Sequence, residues 1–229
     1  MNKIRVVIPV RGGSKGLKDK HIQLINSKPL LFWTLDQFIE EIGNELEIYI
    51  STDCEKIITL CKDNYDQIKI IKRQPDLALD NTSTEEVLRS VALNWINEVK
   101  ENDYVIYASA CEINRPKWIL RDALKSIFKN NEIDSFMYGE NSHKHLWEIS
   151  HQEPKLICDW MQNYSPRQHQ VHNYLIEHSG LILITKFKYW LNGRRFGGKV
   201  IVKELNDSYR HIDIHNKIDL KIASAILNA

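Results

Sequence analysis

Short β-branched runs alternate with longer stretches at helical spacing through the first two-thirds of the chain, which predicts βα units on a mostly parallel sheet. Ile4 to Val10 (IRVVIPV) reads as the first strand. Pro29 opens a helix to about Ile39 with Leu30, Leu31, Thr34, Leu35 and Phe38 on one side, and Gly43-Asn44 ends it before the strand LEIYI. Ser51, Thr52 and Asp53 are good N-caps for a helix from Glu55 to Tyr65, which leads to the strand IKII. Thr82-Ser83-Thr84 ahead of Glu85-Glu86 starts another helix, running to about Lys100. Next come the strand YVIYAS, a Pro116-initiated helix to about Phe128, and the strand DSFMYG. From about 143 to 172 the periodicity gives way to His, Gln, Trp and Pro, an excursion that reads as a binding flap or a subunit contact. YLIEHSGLILIT, the strand KVIVKEL, a short HIDI strand and a last helix, Lys217 to Leu227, restore it. With no internal repeat or low-complexity linker, residues 1–229 read as a single domain.

Composition narrows the functional classes. Of 229 residues, 43% are hydrophobic and 27% charged, and no apolar run approaches the roughly 18–20 residues of a membrane span, so no membrane association is expected. The 31 Lys and Arg nearly cancel the 30 Asp and Glu, which removes the global cationic field that nucleic acid or anionic lipid would require. Affinity for phosphate must therefore be local. Cys54, Cys61, Cys111 and Cys158 form no CxxC pair and read as reduced, packed thiols. The N-terminus reads as a strand rather than a signal peptide, and the expected compartment is the cytoplasm.

The chemistry concentrates in Arg11-Gly12-Gly13-Ser14-Lys15-Gly16, directly after the first strand, with Lys18 and Lys20 just beyond. Open α/β sheets bind ligands at the carboxyl ends of their strands, and this loop puts backbone amides and cations there. A solvated turn that needs glycine for its dihedrals is the bland alternative. Neither of two well-known phosphate loops fits. GxxxxGK[ST] counted from Gly12 or Gly13 puts Leu17 or Lys18 at its second glycine, and GxGxxG is absent.

The longer string IPVRGGSKGLKDKHIQLINSKPLLFWTL resembles the opening of the sugar-acid cytidylyltransferases, the N-acylneuraminate (CMP-sialic acid) synthetase family. ISTDCEKI, RQPDLALDNTSTEEVL, Arg167-Gln168 and DIHNKIDLKIASAIL resemble further family segments in the expected order. The resemblance implies a Rossmann-like α/β fold of the nucleotide-diphospho-sugar transferase type, with a mostly parallel sheet flanked by helices. It also implies a small inserted dimerisation segment, a homodimer, Mg²⁺ dependence, and transfer of CMP from CTP to a small 2-keto sugar acid with release of pyrophosphate.

On that resemblance Arg11, Lys20 and Asp213 carry the catalysis, because positioning and charge neutralisation dominate an in-line attack on phosphorus. The nucleotide-binding set is Arg11, Gly12, Gly13, Ser14, Lys15, Lys20, Arg73, Asp80 and Ser83. Asp80 and Ser83 can equally be N-caps, and Arg73 a surface residue after a strand. Arg167 is the candidate for the acceptor carboxylate, next to Gln168, with a surface salt bridge as the alternative. The His-rich excursion matches no closed zinc pattern, and Trp147, Trp160 and Tyr164 read as core or dimer contacts rather than a base-stacking platform.

Three departures stand out. The family's DID metal pair is here Asp213-Ile214-His215, so Asp213 and His215 become the candidate ligands, and the imidazole suits Mn²⁺ better than Mg²⁺. The family's LQPTSPLR is replaced by YASACEINR, which puts Glu112 near an anionic acceptor unless it is paired, for instance with Arg115. Lys20-His21 and EHSGLI alter two further polar contacts. Two rival readings follow: a nucleotidyltransferase of the same fold with another acceptor, and a catalytically silent nucleotide-binding homologue.

Overall fold

The structure is a computed structural model that describes residues 4–130, 132–142, 144–149, 154–157, 174–205 and 212–227. Three parallel pairings build one half of the main sheet. β1 (Ile4–Pro9) lies between β4 (Leu46–Thr52) and β6 (Tyr104–Tyr107), and β5 (Ile68–Lys72) adds outside β4. The other half is mixed. β12 (Leu183–Lys186) runs antiparallel to both β6 and β8 (Ser135–Ser142). β8 also pairs with β11 (Tyr174–Glu177), antiparallel, and with β13 (Val200–Glu204), parallel. The path is β5-β4-β1-β6-β12-β8-β11, so the Rossmann-like, mostly parallel sheet is present with antiparallel strands on one flank.

Side chains alternate faces along each strand, so each strand feeds two cores. Val6, Ile8, Ile48, Ile50, Ile106 and Ala108 face α1 (Leu30–Ile42), α2 (Glu55–Asn64) and α4 (Ile119–Lys129). Val7, Tyr49, Val105, Tyr107 and Leu183 face α3 (Thr84–Trp95) and α5 (Phe187–Leu191), with Trp95 stacked on Trp190. α1 buries all five residues expected of it, and Gly43 at φ +58° takes the chain out of the helix.

A third, smaller cluster positions the site. β2 (Leu24–Ile25) and β3 (Lys28–Pro29) form a hairpin whose turn residues Asn26 and Ser27 both have positive φ, as a primed turn requires. Its Ile25 packs with Leu17, Leu30, Ile113, Ile212, Ile214 and Ala223. These residues join the glycine loop to β7 (Glu112–Ile113), β14 (Ile212–Asp213) and α6 (Lys217–Ile226).

Some elements differ from the sequence reading. α2 is capped not by Ser51, Thr52 or Asp53 but by the backbone position of Cys54, because Thr52 Oγ1 accepts the Cys54 amide and Asp53 turns to the glycine loop. α3 ends at Trp95 rather than near Lys100, where the Glu98 and Val99 amides both return to the Trp95 carbonyl. The run YLIEHSGLILIT is two strands, each antiparallel to β8, separated by a turn at His178 to Leu181. Within the excursion, β9 (Trp147–Ile149) and β10 (Pro154–Leu156) form a separate hairpin. Trp147 is 51% exposed there, so it is not a core residue, whereas Trp160 and Tyr164 lie outside the described residues. Cys54, Cys61 and Cys111 are free thiols, and Cys158 lies outside the described residues. Among the described residues no helix is long and apolar enough to cross a membrane.

Candidate active site at the carboxyl ends of the strands

The chain leaving β1 stays beside the sheet, with the Val10 amide on the Ser51 carbonyl, and then forms the loop from Arg11 to Gly16. Gly12 donates its amide to Asp53 Oδ1 at 2.9 Å, which fixes the loop against the end of β4. A Cβ on Gly12 would stand 2.8 Å from Cys54 Cβ, and one on Gly16 would stand 2.6 Å from the His215 carbonyl oxygen. Around Gly13 nothing lies within 4 Å. Two of the three glycines are therefore required by close approach, and the third faces open space.

Cations converge on this loop. Arg11 Nη1 lies 3.0 Å from Asp80 Oδ1 and donates to the Leu79 carbonyl at 3.2 Å, while Lys15 Nζ lies 2.8 Å from Asp80 Oδ2. Asp80 is thus an ion-pair partner of the loop and not a helix cap. Ser83 is the cap of α3: its Oγ accepts the Glu86 amide, and Glu86 Oε2 accepts the Ser83 amide at 2.7 Å. Lys20 Nζ donates to the Ile214 carbonyl at 2.9 Å, tying the far end of the loop to β14. Arg73 is buried and donates to the Ser51 carbonyl at 2.8 Å, so it is no surface residue. Burial lowers its pKa first; the charge of Asp53 opposes this and that of Arg11 adds to it. Ser14 is half-buried in the loop between these groups.

His21 lies beneath them, buried, with Nε2 3.4 Å from Cys111 Sγ. Burial first, then the neighbouring charges of Lys20, Arg73 and Arg11, pushes its pKa down to about 3. In the unfolded chain it titrates near its ordinary 6.5, so below that pH the unfolded state binds a proton that the folded state refuses, and stability falls with acidification until about pH 3. Denaturant titrations at pH 7 and pH 5 should show the wild type losing about 2 kcal/mol more than His21→Gln over that interval. Equal losses in the two proteins would mean that His21 titrates normally.

Across the loop, β14 pairs with β7 so that Asp213 stands opposite Glu112. His215 Nε2 lies 2.8 Å from Asp213 Oδ2, and the His215 amide donates to Asp219 Oδ2, which also closes the capping box of α6 with Asn216. Asp213 fits a divalent cation as one hard oxygen ligand. His215 has its Nε2 turned onto that carboxylate. Among the described residues no group of three or more His, Cys, Asp or Glu is placed to hold a metal. A Mg²⁺ at Asp213 would draw its remaining ligands from nucleotide phosphates and water, which is how this ion is ordinarily held.

Asp53, Arg115 and Arg195 shape the same region in roles that the sequence does not show. Asp53 does not cap α2 but accepts the Gly12 amide. Arg115 is buried and donates to the carbonyls of Ser109, Gly180 and Leu181 and to Thr34 Oγ1, which fixes the YASACEINR turn against the turn between β11 and β12. Arg195 has its Cζ 5.7 Å from the Tyr107 ring centroid. Burial pushes the Tyr107 phenol up to about 12; the charge of Arg195 opposes this, and those of Glu112, Cys111 and Asp213 add to it, so these groups share one neighbourhood. Arg167 and Gln168 lie outside the described residues. A separate cleft of about 1160 Å³, lined by Arg5, Glu47, Glu98, Tyr104 and Phe128 among others, opens at the opposite ends of the strands and contains none of the site residues.

A family model described as cytidylyltransferase matches residues 5–107, which carry the glycine loop, Asp53, Arg73 and Asp80. The N-acylneuraminate cytidylyltransferase of Streptococcus agalactiae is 26% identical over 140 residues, 61% of this chain and 32% of that protein; the chain thus spans about a third of the length of that relative. The post-translational flagellin modification protein B of Campylobacter coli is 27% identical over 233 residues, covering 99% of this chain and 96% of its own. Among solved structures, CMP:2-keto-3-deoxy-manno-octonic acid synthetase complexed with CTP superposes with a TM-score of 0.71 at 13% identity, over 99% of both chains. At that identity the likeness is one of fold.

Proposed function

We propose, from the premise that the chain belongs to the cytidylyltransferase family, that it transfers CMP from CTP to the anomeric hydroxyl of a sialic-acid-like 2-keto sugar acid. The observation that carries this reading is the convergence of Arg11, Lys15, Lys20 and Arg73 on one glycine loop, which Lys20 and Gly16 bring against Ile214 and His215, the residues after Asp213. In the reaction the acceptor oxygen bonds to the α-phosphorus as the bond to pyrophosphate breaks, and the hydroxyl proton leaves for solvent. Little covalent work falls to the protein. The loop amides and cations bind and align the triphosphate and neutralise charge building on the leaving pyrophosphate. A Mg²⁺ bound at Asp213 would supply further charge neutralisation. His215, bonded to Asp213, would orient that carboxylate.

The test is pyrophosphate release with CTP and Mg²⁺, then Mn²⁺, across sialic, legionaminic, pseudaminic and octulosonic acids and a blank without acceptor. Release that depends on one of these acids supports the reading. Silence across the panel in protein that binds CTP sinks it. A second reading, a different acceptor on the same nucleotide machinery, is favoured by Glu112, a carboxylate residue paired in register with Asp213 that would repel an anionic acceptor approaching there.

A homodimer is part of the proposal. The β9–β10 hairpin, Ile157 after it and edge strand β11 expose Trp147, Ile149 (84% exposed), Ile157, Leu175 and Ile176, apolar side chains that a partner subunit would cover. Sedimentation velocity should give a dimer for the wild type and a monomer for the double variant Ile149→Asp, Leu175→Asp. A monomeric wild type would remove the dimer from the proposal.

A further inference from the structure

Arg195 comes from the loop between α5 and β13, far in sequence from every other residue of the site. Its guanidinium is held on two sides: Nε lies 3.0 Å from Glu85 Oε1, and Nη1 donates to Ser179 Oγ at 3.3 Å. Its side chain is 25% exposed. Ser179 is itself buried and donates to Glu177 Oε1 at 3.0 Å. The next residue, Gly180, has no side chain because the Glu112 carboxylate occupies the volume that a Cβ would need. Glu112 in turn stands opposite Asp213. A continuous chain of contacts therefore runs from Arg195 through Ser179 and Gly180 to Glu112 and Asp213, and the Tyr107 phenol senses both of its ends.

We infer that Arg195 anchors the carboxylate of the acceptor and so sets the enzyme's preference for an acid. The inference rests on the reading under Proposed function. In a 2-keto sugar acid the carboxylate is borne by the same carbon as the attacking hydroxyl, so its anchor must stand beside the reaction centre. The cations of the glycine loop are placed for phosphate, and Arg115 donates to three backbone carbonyls. Among the described residues, Arg195 is the cation that acts on Tyr107 together with Glu112 and Asp213, and its Cζ lies 5.7 Å from the Tyr107 ring centroid. Its planar fork is oriented by Glu85 and Ser179, and its Nη2 edge makes no hydrogen bond among the described residues. A guanidinium preoriented in this way loses little freedom on binding a carboxylate. Glu112, whose carboxylate lies against Gly180 next to Ser179, can accept hydrogen bonds from the acceptor's hydroxyl or amide groups.

The test compares Arg195→Lys and Glu85→Gln with the wild type, using whichever acid of the panel the wild type turns over and the carboxamide of that same acid. CTP binding by calorimetry, without acceptor, reports on the fold. The lysine variant should raise KM for the acid on the order of tenfold, leave CTP affinity unchanged, and lose most of the wild-type preference for acid over carboxamide, because it keeps the charge and loses the fork. Glu85→Gln should lower KM for the acid, since it removes the counter-ion that competes for the guanidinium. A purely structural Arg195 would shift both acceptors equally and would make Glu85→Gln weaken them. An unchanged acid-to-carboxamide ratio in Arg195→Lys overturns the inference while leaving the proposed reaction intact. Silence of the wild type with every acid overturns both.

Discussion

Arg11→Ala should lower kcat/KM for CMP transfer roughly 10²–10³-fold, a loss of about 2.7–4 kcal/mol in transition-state stabilisation, the magnitude typical of removing one preorganised donor from developing charge. The effect should fall mainly on kcat, because the leaving pyrophosphate gains charge as the bond to the α-phosphorus breaks. Asp80 supplies the complementary measurement. It bridges Arg11 and Lys15 at 3.0 and 2.8 Å, so an incoming triphosphate must compete with an internal carboxylate for both cations. Asp80→Asn should therefore bind inorganic pyrophosphate roughly two- to fivefold more tightly at low salt, the range expected of exposed ion pairs. The gain should fade as salt screens the site. Calorimetry with pyrophosphate and steady-state pyrophosphate release check the two variants. A near-normal rate in Arg11→Ala would remove the loop from the phosphate site, and weaker pyrophosphate binding by Asp80→Asn would make Asp80 a ligand contact rather than a competitor.

What could be read along the chain was what local interactions decide. The alternation of βα units, the α1 face and the start of α3 after Ser83 all depend on residues within a few positions of one another, and each appears in the structure. Asp53 shows where that logic ends. Its chemistry suits a cap, and its position suits a cap, yet the nearby Gly12 amide claims the carboxylate across 41 residues. The boundary of β11 and β12 was hidden for a related reason, since an apolar run does not reveal where the Ser179-Gly180 turn interrupts two strands that run in the same direction along β8, both antiparallel to it. Arg115 reads locally only as a partner for Glu112, and Arg195 carries no local signal. One acts by gathering the carbonyls of residues up to 66 positions away, and the other meets Glu85 across 110 positions. The pairing of Asp213 with Glu112 is likewise non-local, and it makes the altered YASACEINR stretch and the altered metal motif neighbours in space. The sequence marked both as departures from the family pattern, and their adjacency is a property of the fold.

That adjacency makes Gly16 the most sensitive position in the loop. Gly16→Ala would put a Cβ 2.6 Å from the His215 carbonyl oxygen, a backbone atom that cannot rotate away, so either the loop or the Asp213–His215 segment must shift. Lys20 already ties the two together through the Ile214 carbonyl, and Leu17, Ile212 and Ile214 pack in one cluster, so the strain is shared between the phosphate-binding and Asp213 sides of the site. A displacement near 1 Å between groups that must align for in-line attack can cost on the order of 100-fold. Gly16→Ala should accordingly lose about that factor in kcat/KM, with a stability loss of about 1–3 kcal/mol from overpacking. Gly13→Ala is the matched control. Nothing lies within 4 Å of its Cβ position and its φ is not in the left-handed region, so the protein should fold and turn over nearly as the wild type does. Melting temperatures and pyrophosphate-release kinetics for the pair decide the matter. Comparable losses at both positions would mean that the loop needs glycine for its flexibility, and a silent Gly16→Ala would mean that the approach to His215 is not part of the working geometry.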